Sequence, residues 1–403
     1  MSETRGTSVD SPPRSGAWAP PPRSLLSRAG ASVILGSQPS SSRASPVGPT
    51  ERSLSAPRGA CIAQDGSLWV SDTGHHRVIS WSGLPLEDDA PASLLLGQPT
   101  FGSEGRNARG QTGDSTFNVP TGICACGDGL AIADGWNHRV LVWHTLPQQH
   151  NQPADVVLGQ CAFDASDFNR GRDAADADTL FWPFGVAWDG ARLWVADTGN
   201  RRVLMWNGLP RESGQGADLV LGQKTFSGRD ENAGGPPDAS TMRWPHGIAF
   251  FGEALAVCDA GNNRVMIWHR APTMHGEPCA AILGQRNDSA IDHNQGDNWP
   301  TARTLNMPYG VVAIDDYLVV ADTACSRLVG WHRDDVSGFG KPACLLAGQP
   351  DWEAKGDNRW ESATRDSLCW PFALASDNRH AIIADAGNNR VLIWPWQTGG
   401  SPR

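Results

Sequence analysis

"DTGNRRVLMW" occupies residues 197–206, and close variants of it recur along the whole chain. They read "DTGHHRVISW" from Asp72, "DGWNHRVLVW" from Asp134, "DAGNNRVMIW" from Asp259, "DTACSRLVGW" from Asp322 and "DAGNNRVLIW" from Asp385. Successive Asp residues lie 62, 63, 62, 63 and 63 positions apart, so the unit of this protein is a repeat of about that length, present six times.

Aligned in register, the copies contain four short extended segments each. The first opens on a proline, at Pro57, Pro120, Pro183, Pro245, Pro308 and Pro371. Proline lacks an N–H for a ladder and suits a strand's first residue. "LWVAD" (193–197), "RVLMW" (202–206) and "ADLVLGQ" (217–223) follow, rich in β-branched and aromatic residues and punctuated by Gly, Asp and Asn. No helical period is sustained. The expected fold is all-β: six four-stranded antiparallel blades around an axis, a six-bladed β-propeller.

The chain ends fit a closed ring. The sixth copy has no fourth strand of its own, while "ASVILGSQ" (31–38) precedes the first copy without a blade to complete. The N-terminal strand is therefore expected to finish the last blade and close the circle. Residues 31–396 form one domain on this reading. Residues 1–30, rich in Pro, Ser and Arg and without an apolar h-region, read as a disordered tail, and residues 397–403 as a short C-terminal tail.

"DTGN" reads as the turn between second and third strands, where Gly and Asn tolerate left-handed backbone. Arg202 can reach back to Asp197, and Trp206 packs between blades. An active site rarely needs six copies, so this set is read as structural.

These residues resemble the NHL repeat, marked by Pro-x-Gly-apolar in the first strand and Asp-x-x-Asn-x-Arg after the second. The resemblance spans residues 57–394 and implies the propeller scaffold. It leaves function open, since NHL and NHL-like propellers include protein- and RNA-binding modules and enzymes such as amidating lyases, lactonases and streptogramin lyases. Departures are His75-His76 in the first copy, Trp136 in the second, Ala324-Cys325 in the fifth and Ala373 in the sixth.

The units run about twenty residues beyond the ~40–45 of a plain propeller repeat. The surplus follows the fourth strand and is itself patterned: Asn107, Asn169, Asn232, Asn294 and Asn358 each stand nine positions after a Gln. Shared positions imply ordered caps, on the same face as the Asp-Gly-Asn turns, walling a funnel around the channel. The loop from Cys161 to Trp182 carries five Asp against two Arg without the EF-hand spacing, and reads as a solvated acidic loop.

Phosphate-loop, zinc-protease, nucleophile-elbow and Cys-x-x-Cys signatures are absent. Cys124 and Cys126 share one strand face and read as buried small residues. Six-fold symmetry breaks at the residue after the first-strand Pro, which should lean over the channel mouth: Arg58, Thr121, Phe184, His246, Tyr309 and Phe372. Arg58, His246 and Tyr309 are the catalytic candidates, able to anchor an anion or move a proton. Amidating lyases of this architecture use His ligands, Arg and Tyr at the channel, but only His246 holds such a ring position here. His75, His76 and His138 lie on turns farther out. No cofactor is predicted, with zinc or calcium left open.

The favoured function is a non-catalytic scaffold that binds a protein or small ligand on the loop-covered face. Trp299, Trp352 and Trp360 are its exposed-looking anchors, with burial against neighbouring loops the alternative for Trp352 and Trp360. The competing function is a channel-site lyase or hydrolase. A formal net charge of −10 argues against nucleic acid, and no apolar run is long enough for a membrane span. Nine irregularly spaced cysteines suit a reducing compartment, so the expected location is the cytoplasm.

Overall fold

The computed structural model describes residues 21–36 and 48–397. Six antiparallel sheets stand in a ring. Blade three shows the pattern: Pro183–Trp188 pairs with Arg192–Asp197, which pairs with Arg202–Asn207, which pairs with Leu219–Leu221. The first strand of each blade lines the central channel. There the repeated glycine is required by close approach, since a Cβ at Gly185 would lie 2.0 Å from the His246 carbonyl oxygen of the next blade.

Closure follows the sequence expectation. Val33–Gly36 pairs antiparallel with Arg390–Pro395, Val33 opposite Ile393 and Gly36 opposite Arg390. The strand begins at Val33, two residues later than the 31–38 expected, and residues 37 and 38 lie outside the described residues.

The third-strand tryptophans are core. Trp81, Trp143, Trp206, Trp268, Trp331 and Trp394 are all buried. Each packs on the preceding blade, as Trp206 does on Val140, Val142 and Ala131. In the first five blades the indole N–H also donates to a carbonyl of the connection between third and fourth strands, Trp206 Nε1 to Gln215 O at 3.0 Å and Trp143 Nε1 to Gln152 O at 3.0 Å. A buried indole thus keeps its polar handle satisfied.

The sixth blade corrects the expected tail. Its third strand is the last among the described residues, and Trp394 Nε1 donates instead to Ser27 O at 2.8 Å. The expected tail over residues 1–30 lies outside the described residues as far as residue 20. From there on the chain is packed, with Leu25 0% and Leu26 1% exposed. Arg23–Ser24 adds a short parallel strand to the outer edge of blade five, as Gly338–Phe339 does for blade four. Composition averaged over thirty residues hid a two-leucine anchor. At the other end, residues 398–403 lie outside the described residues.

Trp206→Ala should cost about 3–5 kcal/mol of stability, the usual loss for truncating a buried aromatic side chain. Chemical denaturation would measure it. A chain starting at residue 31 keeps the closing strand, yet it should melt well below one starting at residue 21. Each lost buried leucine is worth about 2–5 kcal/mol, and equal melting temperatures would show that residues 21–30 add nothing.

Candidate functional site

The loop-covered face is built from one motif used six times. In the hairpin between second and third strands, Asp197 stands opposite Arg202, and Arg202 Nε donates to Asp197 Oδ2 at 2.7 Å with both side chains fully buried. The other carboxylate oxygen, Oδ1, accepts the Phe181 N–H at 2.7 Å, fixing the chain that enters the first strand. The guanidinium then spans two loops. Its Nη1 donates to Phe226 O in the outgoing cap, and its Nη2 to Asp176 O and Thr179 O in the incoming one, both at 2.9 Å. Planar, five-donor arginine suits this better than lysine could. The same Nε–Oδ2 contact recurs at 2.7–2.9 Å in the other five blades.

Two further residues lock the caps, as their spacing suggested. The conserved-position Gln closes each loop, Gln160 Nε2 donating to His138 O at 3.2 Å and to Asp167 O at 2.8 Å. The Asn nine positions on adopts left-handed backbone, with φ of 49° at Asn169. Its side chain pairs with the turn Asn of the next blade: Asn200 Nδ2 donates to Asn169 Oδ1 at 2.8 Å and Asn169 Nδ2 returns a bond at 3.0 Å. Asn107–Asn137 and Asn358–Asn388 repeat the exchange. In the fifth blade Cys325 replaces the turn Asn and faces Asn294 Oδ1 at 3.8 Å. In the first, His75 turns to Asp72, Nδ1 to Oδ2 at 2.8 Å.

The outlying histidines have a local explanation. The residue closing each turn adopts left-handed backbone, and in every turn but that of Arg201 its side chain accepts the N–H of the residue before the next blade's proline. His76 Nδ1 takes Val119 N–H at 3.0 Å, His138 Nδ1 takes Trp182 N–H at 3.1 Å, and Asn263 Oδ1 takes Met307 N–H at 2.8 Å. An accepting Nδ1 must be unprotonated. Burial accordingly lowers the pKa of His76, and that of His138 falls to about 4.

The acidic loop is partly compensated from within, Arg172 Nη1 lying 3.2 Å from Asp178 and 3.6 Å from Asp176. Cys124 and Cys126 do share a face, their sulfurs 3.4 Å apart, and the Cys126 contact and burial push the Cys124 thiol up.

The six positions after the first-strand prolines do converge, but as a stack more than an open mouth. Ring centroids run Phe184–His246 4.4 Å, His246–Tyr309 4.3 Å and Tyr309–Phe372 4.7 Å, with the Arg58 guanidinium 4.7 Å above Phe372. Thr121 is buried and donates to Phe184 O at 3.0 Å. Beneath them the channel holds a cavity of about 70 Å³. His246 Nδ1 donates to Trp244 O at 2.8 Å, and burial, with the nearby Arg58 charge, lowers its pKa to about 4. Burial also lowers the Arg58 pKa and raises that of Tyr309. Arg58 Nε is buried without a hydrogen-bond partner among the described residues. No three His, Cys, Asp or Glu side chains among the described residues are grouped so as to hold a metal ion.

The tryptophans divide. Trp360 is 74% exposed and Trp299 38%, but Trp352 is buried at 8%, against the expectation of an exposed anchor. Its position, three after Gln349, matches Phe101 and Phe163, and like theirs its carbonyl takes an arginine Nη1, that of Arg327 at 2.9 Å. It is a cap-core residue. Sequence reasoning missed Trp370 (41% exposed) and, as an exposed indole, Trp136 (53%). The signal for Trp370 was positional: Trp182, Trp244 and Trp370 each precede a first-strand proline.

Folded His246 holds its proton more weakly than the unfolded chain does, so the unfolded state binds more protons between about pH 6.5 and 4. Stability is therefore lost as pH falls through that window, by about 1.4 kcal/mol per pH unit for a fully buried group. In His246→Phe this contribution should vanish, and urea denaturation at pH 7 and pH 5 should show a smaller acid-side loss than in wild type. An equal loss would mean that His246 is not held neutral.

The NHL repeat family model matches residues 54–79 and 117–143. Among curated proteins no relative of the sequence is found. Among solved structures, a structural-genomics protein of unknown function from Bacteroides thetaiotaomicron is 12% identical with a TM-score of 0.53, covering 90% of this chain and 76% of its own. Kuenenia stuttgartiensis hydrazine synthase is 12% identical at 0.49, over 87% and 98% of the two chains. Virginiamycin B lyase from Staphylococcus aureus is 10% identical at 0.42, over 85% of each. Such identities show fold alone. The chain is a six-bladed β-propeller, and two stretches of it, in the first two blades, match the NHL repeat.

Proposed function

We propose that the protein is a non-catalytic binding module that takes a protein or small ligand on its loop-covered face. The observation that carries this reading is the set of exposed indoles there: Trp136, Trp299, Trp360 and Trp370 are 53%, 38%, 74% and 41% exposed. The caps bearing them are held rigid by buried Asp–Arg and Asn–Asn contacts, so a ligand meets pre-organised aromatic surface at little entropic cost. Trp299 carries the Lys355 ammonium 5.0 Å from its ring, and Trp370 Nε1 donates to Asp357 Oδ2 at 3.3 Å, which presents polar groups beside each apolar face. The cytoplasm remains the compartment of this reading, supported by nine free cysteines. No helix among the described residues is long and apolar enough to cross a membrane.

A channel-mouth lyase or hydrolase is the second reading. It is favoured by the unpartnered Arg58 Nε beside His246 and Tyr309, an arrangement able to hold an oxyanion. Against it stands the closed aromatic stack, which leaves a substrate little room unless the rings part.

Affinity capture followed by quantitative mass spectrometry separates the two. With Trp299→Ala, Trp360→Ala and Trp370→Ala combined, partner capture should fall by tenfold or more with the melting temperature nearly unchanged, since exposed side chains contribute little to stability. Capture that survives the triple variant but fails in Arg58→Ala would transfer the site to the channel mouth.

A further inference from the structure

Five of the six blade junctions are filled in one way. The tip of the connection between third and fourth strands docks on the fourth strand of the preceding blade, donating a backbone N–H to its middle residue. Asp89 donates to Ile34 O at 2.8 Å, Asn151 to Leu95 O at 2.8 Å, Gly214 to Val157 O at 2.8 Å, Gly276 to Val220 O at 2.9 Å and Gly340 to Ile282 O at 3.1 Å. The next residue in each offers its carbonyl to the third-strand indole. At the junction of blades five and six the N-terminal segment does this work. Leu25 N–H donates to Leu346 O at 3.1 Å, but the indole acceptor is Ser27, one residue later than elsewhere.

That altered path leaves space. A pocket of about 320 Å³ lies between the N-terminal segment and blade five, with Leu26, Leu346 and Trp394 in its apolar lining and Arg23, Arg28, Arg359 and Asp366 as its charged residues. The matching junction of blades two and three shows what such a place holds when filled. Arg170, the residue after the cap Asn and so the counterpart of Arg359, donates from Nε to Gly159 O at 3.4 Å and from Nη2 to the loop-tip Gly214 O at 3.2 Å. Arg359 keeps the first contact, Nε to Gly348 O at 3.0 Å, pairs with Asp366 Oδ2 at 3.0 Å, and donates from Nη2 to Asp366 O at 2.6 Å. Among the described residues no carbonyl of the N-terminal segment comes to it. Arg28 is exposed and has no partner among the described residues.

We infer that this pocket is a binding site for a small oxyanion, a phosphate or carboxylate group whose oxygens accept from Arg28 and from the N–H that Arg359 does not spend on Gly348 and Asp366. Arg359 supplies a planar fork already oriented by Gly348 and Asp366, and Arg28 supplies the uncompensated charge. The volume admits a small metabolite carrying such a group, with its apolar part against Leu26 and Trp394. The site does not depend on the exposed indoles of the loop-covered face.

Isothermal titration of the full chain with inorganic phosphate and, separately, with citrate at fixed ionic strength tests this. Saturable single-site binding of at least one of them is expected, weakened about tenfold or more in Arg28→Ala, whose melting temperature without ligand should match wild type, and likewise in Arg359→Gln. The indole triple variant should bind as wild type does. Absence of saturable binding of either anion, or binding that is unchanged in Arg28→Ala and Arg359→Gln, would overturn the assignment.

Discussion

The fold hangs on a guanidinium buried beside a carboxylate. Removing two charges from water is costly, and a lone buried pair is weak evidence of stability. Here the cost is offset because the remaining donors of Arg202 meet carbonyl oxygens of two different loops, while the second carboxylate oxygen of Asp197 holds a backbone N–H. One side chain therefore ties a turn, an outgoing cap and an incoming cap together. Long loops lose much entropy on ordering, and a structure with five extended caps would carry a heavy cost without such a clamp. Because the clamp sits in the hairpin between second and third strands of each blade, the face that it orders is the one bearing the caps.

How much of this was legible depended on whether a signal was local. Asp197 and Arg202 are five residues apart on opposite sides of a tight hairpin, so their contact could be read from the repeat alone. The Asn169–Asn200 exchange could not: each asparagine by itself looks like an ordinary turn residue, and 31 positions separate them. Trp352 was misjudged because its loop was weighed as a loop, when its alignment with Phe101 and Phe163 already marked a packed aromatic position. Leu25 and Leu26 were lost in the Pro- and Ser-rich composition around them. The ring of Arg58, His246 and Tyr309 was found by asking where symmetry fails, but only coordinates show that the rings stack on each other.

That stack sets the chemistry of the channel. A neutral His246 between two aromatic faces, hydrogen-bonded to Trp244 O, behaves as a flat packing element with one polar edge. Its depressed proton affinity follows from burial and from the Arg58 charge, and needs no catalytic purpose. Perturbed titration marks functional sites often enough to be worth noting, yet interior packing produces it too.

Closure by the N-terminal segment has a consequence for how the protein is made. Leu25 to Gly36 are synthesised long before their partners at Leu346 and Arg390–Trp394. At about 5–20 residues per second, the opening segment waits roughly twenty seconds to over a minute for the strand it must join. Throughout that interval blade one presents an unpartnered flank and two leucines have no burial site. The nascent chain is thus an open arc with a sticky leading edge, and vectorial synthesis gives it no means of finishing the circle early. Its exposure to chaperones, or to a neighbouring nascent copy on the same message, is built into the order of the strands.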